Sequence, residues 1–154
     1  GEEEDKMLTL VTEGKKRYLP LLLLGDEQES MIDRYLEEGA LYIWKEGEET
    51  AGVCVVTDQG NGVLELKNIA VDPRFQRRGI GRAMIEALAK RYRGSYRVPL
   101  EGTGEAPSTL GFYQHCGFTY SHRVKDFFLQ YDHPIVEEGV QLKDMVYFQR
   151  TLEP

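Results

Sequence analysis

Apolar residues along this chain recur with two periods, and the switches between them mark its elements. Leu8–Val11 reads as an opening strand. Residues 20–24 and 28–36 read as helices, separated by the Gly25-Asp26 turn and ended near Gly39. Residues 40–45 and 50–57 read as hairpin strands around Glu46-Gly47-Glu48, and 58–62 as a polar turn. Val63–Val71 is then a long fourth strand, stopped at Asp72-Pro73 because proline cannot continue a ladder. Met84, Ile85, Leu88, Ala89 and Tyr92 fall at helical spacing and predict a helix over 81–92, with Gly94 as its stop. A fifth strand follows at 96–100, and Ser108 or Thr109 can cap a short helix running through Cys116 to Gly117. Two closing strands are expected around 123–131 and 142–152, joined by an acid-rich loop over 132–141 that contains Pro134. Strand and helix alternating in the middle, with hairpins outside, predict an α/β (α+β) architecture: a mixed sheet flanked by helices.

Composition narrows this picture without changing it. At 154 residues, 41% hydrophobic and 29% charged, residues 1–154 read as a single globular domain with one sizeable core. The longest apolar run, 19–24, is interrupted by Pro20 and falls far short of the roughly 18 residues that cross a bilayer. The acidic opening Gly1-Glu2-Glu3-Glu4-Asp5 is the opposite of a secretory leader's basic start. Cys54 and Cys116, both in apolar surroundings, read as reduced core thiols of a cytoplasmic protein. A net charge of −7 disfavours nucleic-acid binding. Against that background Arg74, Arg77, Arg78 and Arg82 form a basic island opposed only by Asp72, which suits a compact polyanion better than a long duplex.

The island lies inside the most informative stretch of the chain, residues 68–83. An apolar strand stops at Asp-Pro, a basic turn follows, and Gly79-Ile80-Gly81 opens an amphipathic helix. The first N–H groups of a helix lack internal partners and face the positive end of its dipole, and glycine lets a ligand approach the backbone, so the passage predicts a phosphate cradle. No G-x-x-x-x-G-K-[ST] run is present, and Met84 stands where a dinucleotide fingerprint needs its third glycine. What remains is Gln76-Arg77-Arg78-Gly79-Ile80-Gly81, the Q/R-x-x-G-x-G/A pattern of acyl-CoA binding. With this block the chain resembles the GCN5-related N-acetyltransferase (GNAT) superfamily, and Leu110-Gly111-Phe112-Tyr113-Gln114-His115-Cys116-Gly117-Phe118 is similar to that family's tyrosine-then-Gly-Phe segment. The resemblance covers nearly the whole chain, the first 40 and last 30 residues by element order more than by motif. It implies the GNAT fold, a mixed, mostly antiparallel sheet of about six to seven strands.

The resemblance also implies acetyl-CoA as co-substrate, no metal, and direct transfer of the acetyl group to a primary amine. The pantetheine arm is expected along Ile69, Ala70 and Val71 through their backbone, and the pyrophosphate on the N–H groups of Arg77, Arg78, Gly79, Ile80, Gly81, Arg82 and Ala83, with Gln76, Arg77 and Arg78 adding side-chain contacts. Tyr113 matches the family tyrosine that protonates the leaving thiolate, a role suited to a phenol whose ordinary pKa is near 10. Glu65 falls where several members carry a catalytic glutamate, on the same side of the strand as Lys67 before any bulge; an exposed residue paired with Lys67 is the alternative. His115 and His122 flank the cofactor segment but match no family base, Asn68 is a polar group at the strand's end that could hydrogen-bond near the site, and Cys116 reads as a buried structural thiol. Trp44 and Tyr42 read as core.

For the acceptor, Asp126, Asp132, Glu137, Glu138 and Asp144 cluster with Phe127, Phe128, Tyr131 and Tyr147 near the C-terminus. Asp132 and Asp144 are therefore candidate walls of a site for a cationic amine, with a solvated hairpin over core aromatics as the alternative. An enzyme acting on a small amine is the leading reading. A peptide N-acetyltransferase and a non-catalytic acyl-CoA-binding module stand as alternatives, and a homodimer is compatible with the fold.

Overall fold

The computed structural model describes residues 7–93, 98–103 and 107–150. Strands β1 (Leu8–Val11), β2 (Ala40–Glu46), β3 (Glu49–Gly60) and β4 (Val63–Val71) pair antiparallel in chain order. Between β1 and β2 lie the short helices α1 (Leu19–Gly25) and α2 (Glu29–Ile32). After β4 come helix α3 (Ile80–Tyr92), strand β5 (Val98–Thr103), helix α4 (Pro107–His115) and strand β6 (Thr119–Val124). The small hairpin β7 (Val136–Glu137) and β8 (Val140–Gln141) precedes the last described strand, β9 (Met145–Gln149). Among the described residues seven strands form one sheet in the order β1-β2-β3-β4-β5-β9-β6, with β5 parallel to β4 because α3 carries the chain back between them.

Each face of the sheet buries one set of apolar side chains. Tyr42 and Trp44 of β2 join Leu64, Leu66, Met84, Ile85 and Leu88 under α3. Leu41 and Ile43 join Val53, Val55, Leu22 and Ile32 under α1 and α2. Covered on both sides, these strands read as nearly continuous apolar runs rather than alternating ones. Cys54 and Cys116 are buried free thiols. Among the described residues no helix is long and apolar enough to cross a membrane.

Two details of β4 shape everything that follows. Its register against β3 slips between Asn68, opposite Val55, and Leu66, opposite Val56, so Lys67 has no residue across from it. This bulge exchanges the strand's faces. Leu64 and Leu66 point to the α3 core before it, Ile69 and Val71 after it, while Asn68 turns toward α1 and hydrogen-bonds the Leu22 carbonyl. In addition, β4 pairs with β5 only over residues 63–66, so beyond Leu66 the two strands part and leave one edge of 67–71 unladdered by any described strand.

The expected boundaries hold best where the pattern is strongest: β1 and β4 fall where the periodicity puts them. The polar 58–62 turn shrinks to Asn61-Gly62, both with positive φ of 55° and 77°, because β3 continues to Gly60. The strand expected at 123–131 is a correction. Strand β6 ends at Val124, Asp126 adopts a left-handed φ of 57°, and 127–130 coil into a 3-10 turn. Phe127, Phe128 and Tyr131 pack on one another there instead of alternating across a sheet. The loop expected over 132–141 contains the β7–β8 hairpin, and Gly94 and Tyr96 lie outside the described residues.

Candidate active site

The basic turn after β4 is built by its own side chains. Asp72 Oδ1 accepts from the Arg74 N–H at 2.9 Å, and Gln76 Nε2 donates back to the Val71 carbonyl at 3.1 Å. Arg77 and Gly79 have left-handed φ angles of 66° and 77°, which swings successive N–H groups toward one concave side. Gly79 is the N-cap of α3, so the unpaired N–H groups of the helix's first turn open directly into that concavity. Arg74 is committed to Asp72 and Glu49, and Arg74 and Arg78 lie over the Phe75 ring. Arg82 bonds the His115 ring at 3.0 Å across the end of α4.

These parts line a groove of about 760 Å³ between β4, the start of α3 and α4. Ile69, Ala70, Val71, Gln76, Arg77, Gly79, Ile80, Gly81 and Arg82 from the expected set form its walls with Tyr113. Arg78 lies over Phe75 and Ala83 packs on the core, so neither side chain is among them.

Tyr113 is 4% exposed and its ring is wedged among Phe112, Phe118 and Phe148. The same residue, with Ile69 and Thr109, also walls a second cavity of about 200 Å³, a throat that runs between α1 and β9. The throat shares Asp26, Lys67, Tyr131 and Met145 with an outer cleft of about 570 Å³. Glu65 lines that outer cleft, 7% exposed and ion-paired to Lys67. Groove and throat thus share one wall, and throat and cleft another.

Asp26 stands at the junction of throat and cleft, where the chain leaves α1. Tyr131 Oη donates to its Oδ1 at 2.6 Å and Tyr35 Oη to its Oδ2 at 3.1 Å. Burial raises the Asp26 carboxyl above its ordinary range, opposed by these donors and by the Gln28 backbone N–H. Burial likewise pushes the Tyr35 and Tyr131 hydroxyls up, with Asp26 adding to both shifts, so both stay protonated donors. Asn68, 2% exposed on the bulged strand, donates to Tyr35 Oη at 3.2 Å and to the Leu22 carbonyl at 2.9 Å. Arg34 donates to Gln130 Oε1 at 3.1 Å and the Asp132 N–H to Gln28 Oε1 at 2.9 Å, which laces residues 26–35 to 130–132 along the cleft.

Asp132 and Asp144 are not among the residues walling groove, throat or cleft. Asp132 bonds His133, while Asp144 takes Arg123 at 2.8 Å and the Asp126 N–H at 2.8 Å. His122 stacks on Tyr147, a wall of the outer cleft. Glu137 is the one expected acidic-cluster residue that walls the throat. In the sequence Asp26 is only half of the Gly25-Asp26 turn, and a carboxylate directly after a helix-ending glycine is its one visible signal.

Residues 37–120 match the family model of the acetyltransferase (GNAT) domain. An N-acetyltransferase of Bacillus subtilis (strain 168), itself uncharacterised, is 38% identical over 130 residues, 82% of this chain and 83% of that protein. A GNAT family acetyltransferase from Elizabethkingia anophelis with acetyl-CoA bound aligns with a TM-score of 0.89 at 33% identity, covering 94% of this chain and 97% of that one. A Bacillus subtilis acetyltransferase in complex with CoA aligns at 0.84 and 35% identity, with the same coverage of 94% and 97%.

Proposed function

Because this chain belongs to the GNAT acetyltransferase family, we propose that it moves the acetyl group of acetyl-CoA directly to the primary amine of a small molecule, its residues 1–154 acting as one catalytic domain. The observation that carries this reading is Tyr113, which walls both the groove that holds the phosphate cradle and the throat, a cavity that shares Asp26, Lys67, Tyr131 and Met145 with a separate cleft. The donor lies in the groove. Its pyrophosphate takes the N–H groups of the Arg77–Arg82 turn, the Ala83 N–H expected with them being already bonded to the Gly79 carbonyl at 3.0 Å, and its pantetheine arm pairs with the open backbone edge at Ile69, Ala70 and Val71. The acceptor enters from the cleft, whose volume of about 570 Å³ suits a small molecule.

The free amine forms the C–N bond as the thioester C–S bond breaks. Tyr113 gives its hydroxyl proton to the departing sulfur, and a carboxylate of the path, Glu65 being the one the family resemblance nominates, takes the proton the ammonium must lose. Cys116 is no competitor as nucleophile, since burial raises its thiol above the ordinary range and keeps it protonated.

Thiol release from acetyl-CoA across a panel of benzylamine, tyramine, 1,4-diaminobutane, spermidine and lysine tests the reading. Tyr113→Phe is expected to lower kcat by about 100-fold and to change the acetyl-CoA KM little. Undiminished kcat would remove Tyr113 as the proton donor. CoA binding with no turnover of any amine would make the chain an acyl-CoA-binding module instead.

A further inference from the structure

We propose that Asp26, in preference to Glu65, is the carboxylate that docks the acceptor's ammonium in the throat and takes its proton before the amine attacks. This rests on the acetyl-transfer reading above and adds the residue that handles the amine.

Position is the first argument. Asp26 walls both the throat and the outer cleft, and the throat is the cavity that Tyr113 enters; Glu65 walls the outer cleft alone. Charge is the second. The Glu65 carboxylate already has a cation, the Lys67 ammonium, on a residue the bulge leaves without a cross-strand neighbour. The partners of Asp26 among the described residues are two hydroxyls and one backbone N–H, all neutral. A partly buried carboxylate satisfied only by neutral donors is the group that gains most when a cation arrives, and the one best able to accept a proton from it.

Orientation is the third. Both carboxylate oxygens are fixed by phenols, and one of those phenols is itself held by Asn68. Asn68 Oδ1 is buried with no hydrogen-bond partner, in a residue that walls the same throat. Among the described residues, the other charged groups that stand beside Asp26 or wall its two cavities are Glu27, Arg34 and Glu38 around α2, Asp58 of β3, Glu65 and Lys67 of β4, and Glu137 of the β7–β8 hairpin.

In the step, the ammonium proton passes to an Asp26 oxygen, leaving a neutral amine and a carboxylic acid. The amine nitrogen bonds the thioester carbon, the C–S electron pair stays on sulfur, and the Tyr113 proton joins it. The new amide nitrogen loses its surplus proton to the Tyr113 phenolate, and Asp26 returns its proton to water.

The experiment compares variants on whichever panel amine the wild type acetylates. Asp26→Asn is expected to lower kcat/KM for the amine by about 100-fold with the acetyl-CoA KM unchanged, and Glu65→Gln by about tenfold. Tyr131→Phe removes a donor that favours the carboxylate, so the acidic limb of kcat/KM shifts to higher pH; a carboxylate that merely ties two loops together would not move that limb. Wild-type kcat/KM in Asp26→Asn, a larger loss in Glu65→Gln, or an unmoved limb in Tyr131→Phe overturns the proposal while acetyl transfer stands. If Asp26→Asn fails to fold by circular dichroism, the Tyr131→Phe limb decides alone. A wild type that binds CoA and acetylates no amine overturns both.

Discussion

The groove and the throat meet at Tyr113, yet they are made in opposite ways. The groove takes Gln76, Arg77, Gly79, Ile80, Gly81 and Arg82 from one short stretch of chain, in which Arg77 and Gly79 hold left-handed φ angles. The throat takes Asp26, Asn68, Tyr131 and Glu137 from four separate segments and offers side chains. A backbone cradle demands special φ angles at fixed spacing, and only glycine meets such demands cheaply, so it leaves a motif in the sequence. A side-chain site assembled by tertiary contact leaves none.

The sharpest way to break this contrast is Gly79→Val. Gly79 caps α3 with φ of 77°, a conformation that costs a β-branched residue well over 1–2 kcal/mol. Relief of that strain turns the helix's first N–H groups away from the groove. CoA affinity measured by calorimetry should fall by roughly 100-fold or more, the loss of two to three charge-assisted hydrogen bonds. A value within threefold of wild type would mean that arginine side chains, not backbone, hold the donor.

Gly25→Ala probes the throat by a similar logic with the opposite selectivity. A Cβ there would collide with Asn68 Oδ1, and Asn68 holds Tyr35, which holds Asp26. Overpacking of this kind costs about 1–3 kcal/mol, read by urea unfolding. The same displacement should lower amine kcat/KM by about tenfold and leave CoA affinity unchanged. An equal loss on both sides of Tyr113 would show that the two regions are not separable.

The fold was legible in the sequence wherever one period ran long enough. Val63–Val71 is bounded by a glycine turn and by Asp72-Pro73, and both bounds hold. What the period could not reveal was the bulge at Lys67, because Leu64, Leu66, Ile69 and Val71 look the same whether or not the strand changes face between them. That missing parity step is what turns Asn68 inward, to the side where it reaches Leu22 and Tyr35. Residues 123–131 failed for a different reason: Val124, Phe127, Phe128 and Tyr131 are residue types that favour strands, whereas the left-handed Asp126, whose N–H donates to Asp144 18 positions away, turns the chain there. Most of the groove was therefore readable, and almost none of the throat, since Asp26, Tyr35 and Tyr131 become neighbours only after α1 and the 126–132 segment fold together.

The smallest effect expected concerns the two acids that looked most like acceptor ligands. Asp144 accepts from the Asp126 N–H and from Arg123, and these contacts hold its carboxyl below the ordinary range. A carboxyl depressed in the folded state stabilises the fold above its unfolded pKa, and the benefit disappears as pH falls through the lower folded value. Asp144→Asn should therefore lower the melting temperature slightly near neutral pH, and the difference from wild type should vanish in acid. Asp132 is exposed, bonded to His133, so Asp132→Asn should move the melting temperature even less. Neither variant should change the amine KM by more than about twofold, the ordinary scatter for surface positions. A larger rise in KM for either would bring the 126–144 loops into the acceptor site, and the acidity that drew attention to them in the sequence would then be recognition rather than the scaffolding of one tight turn.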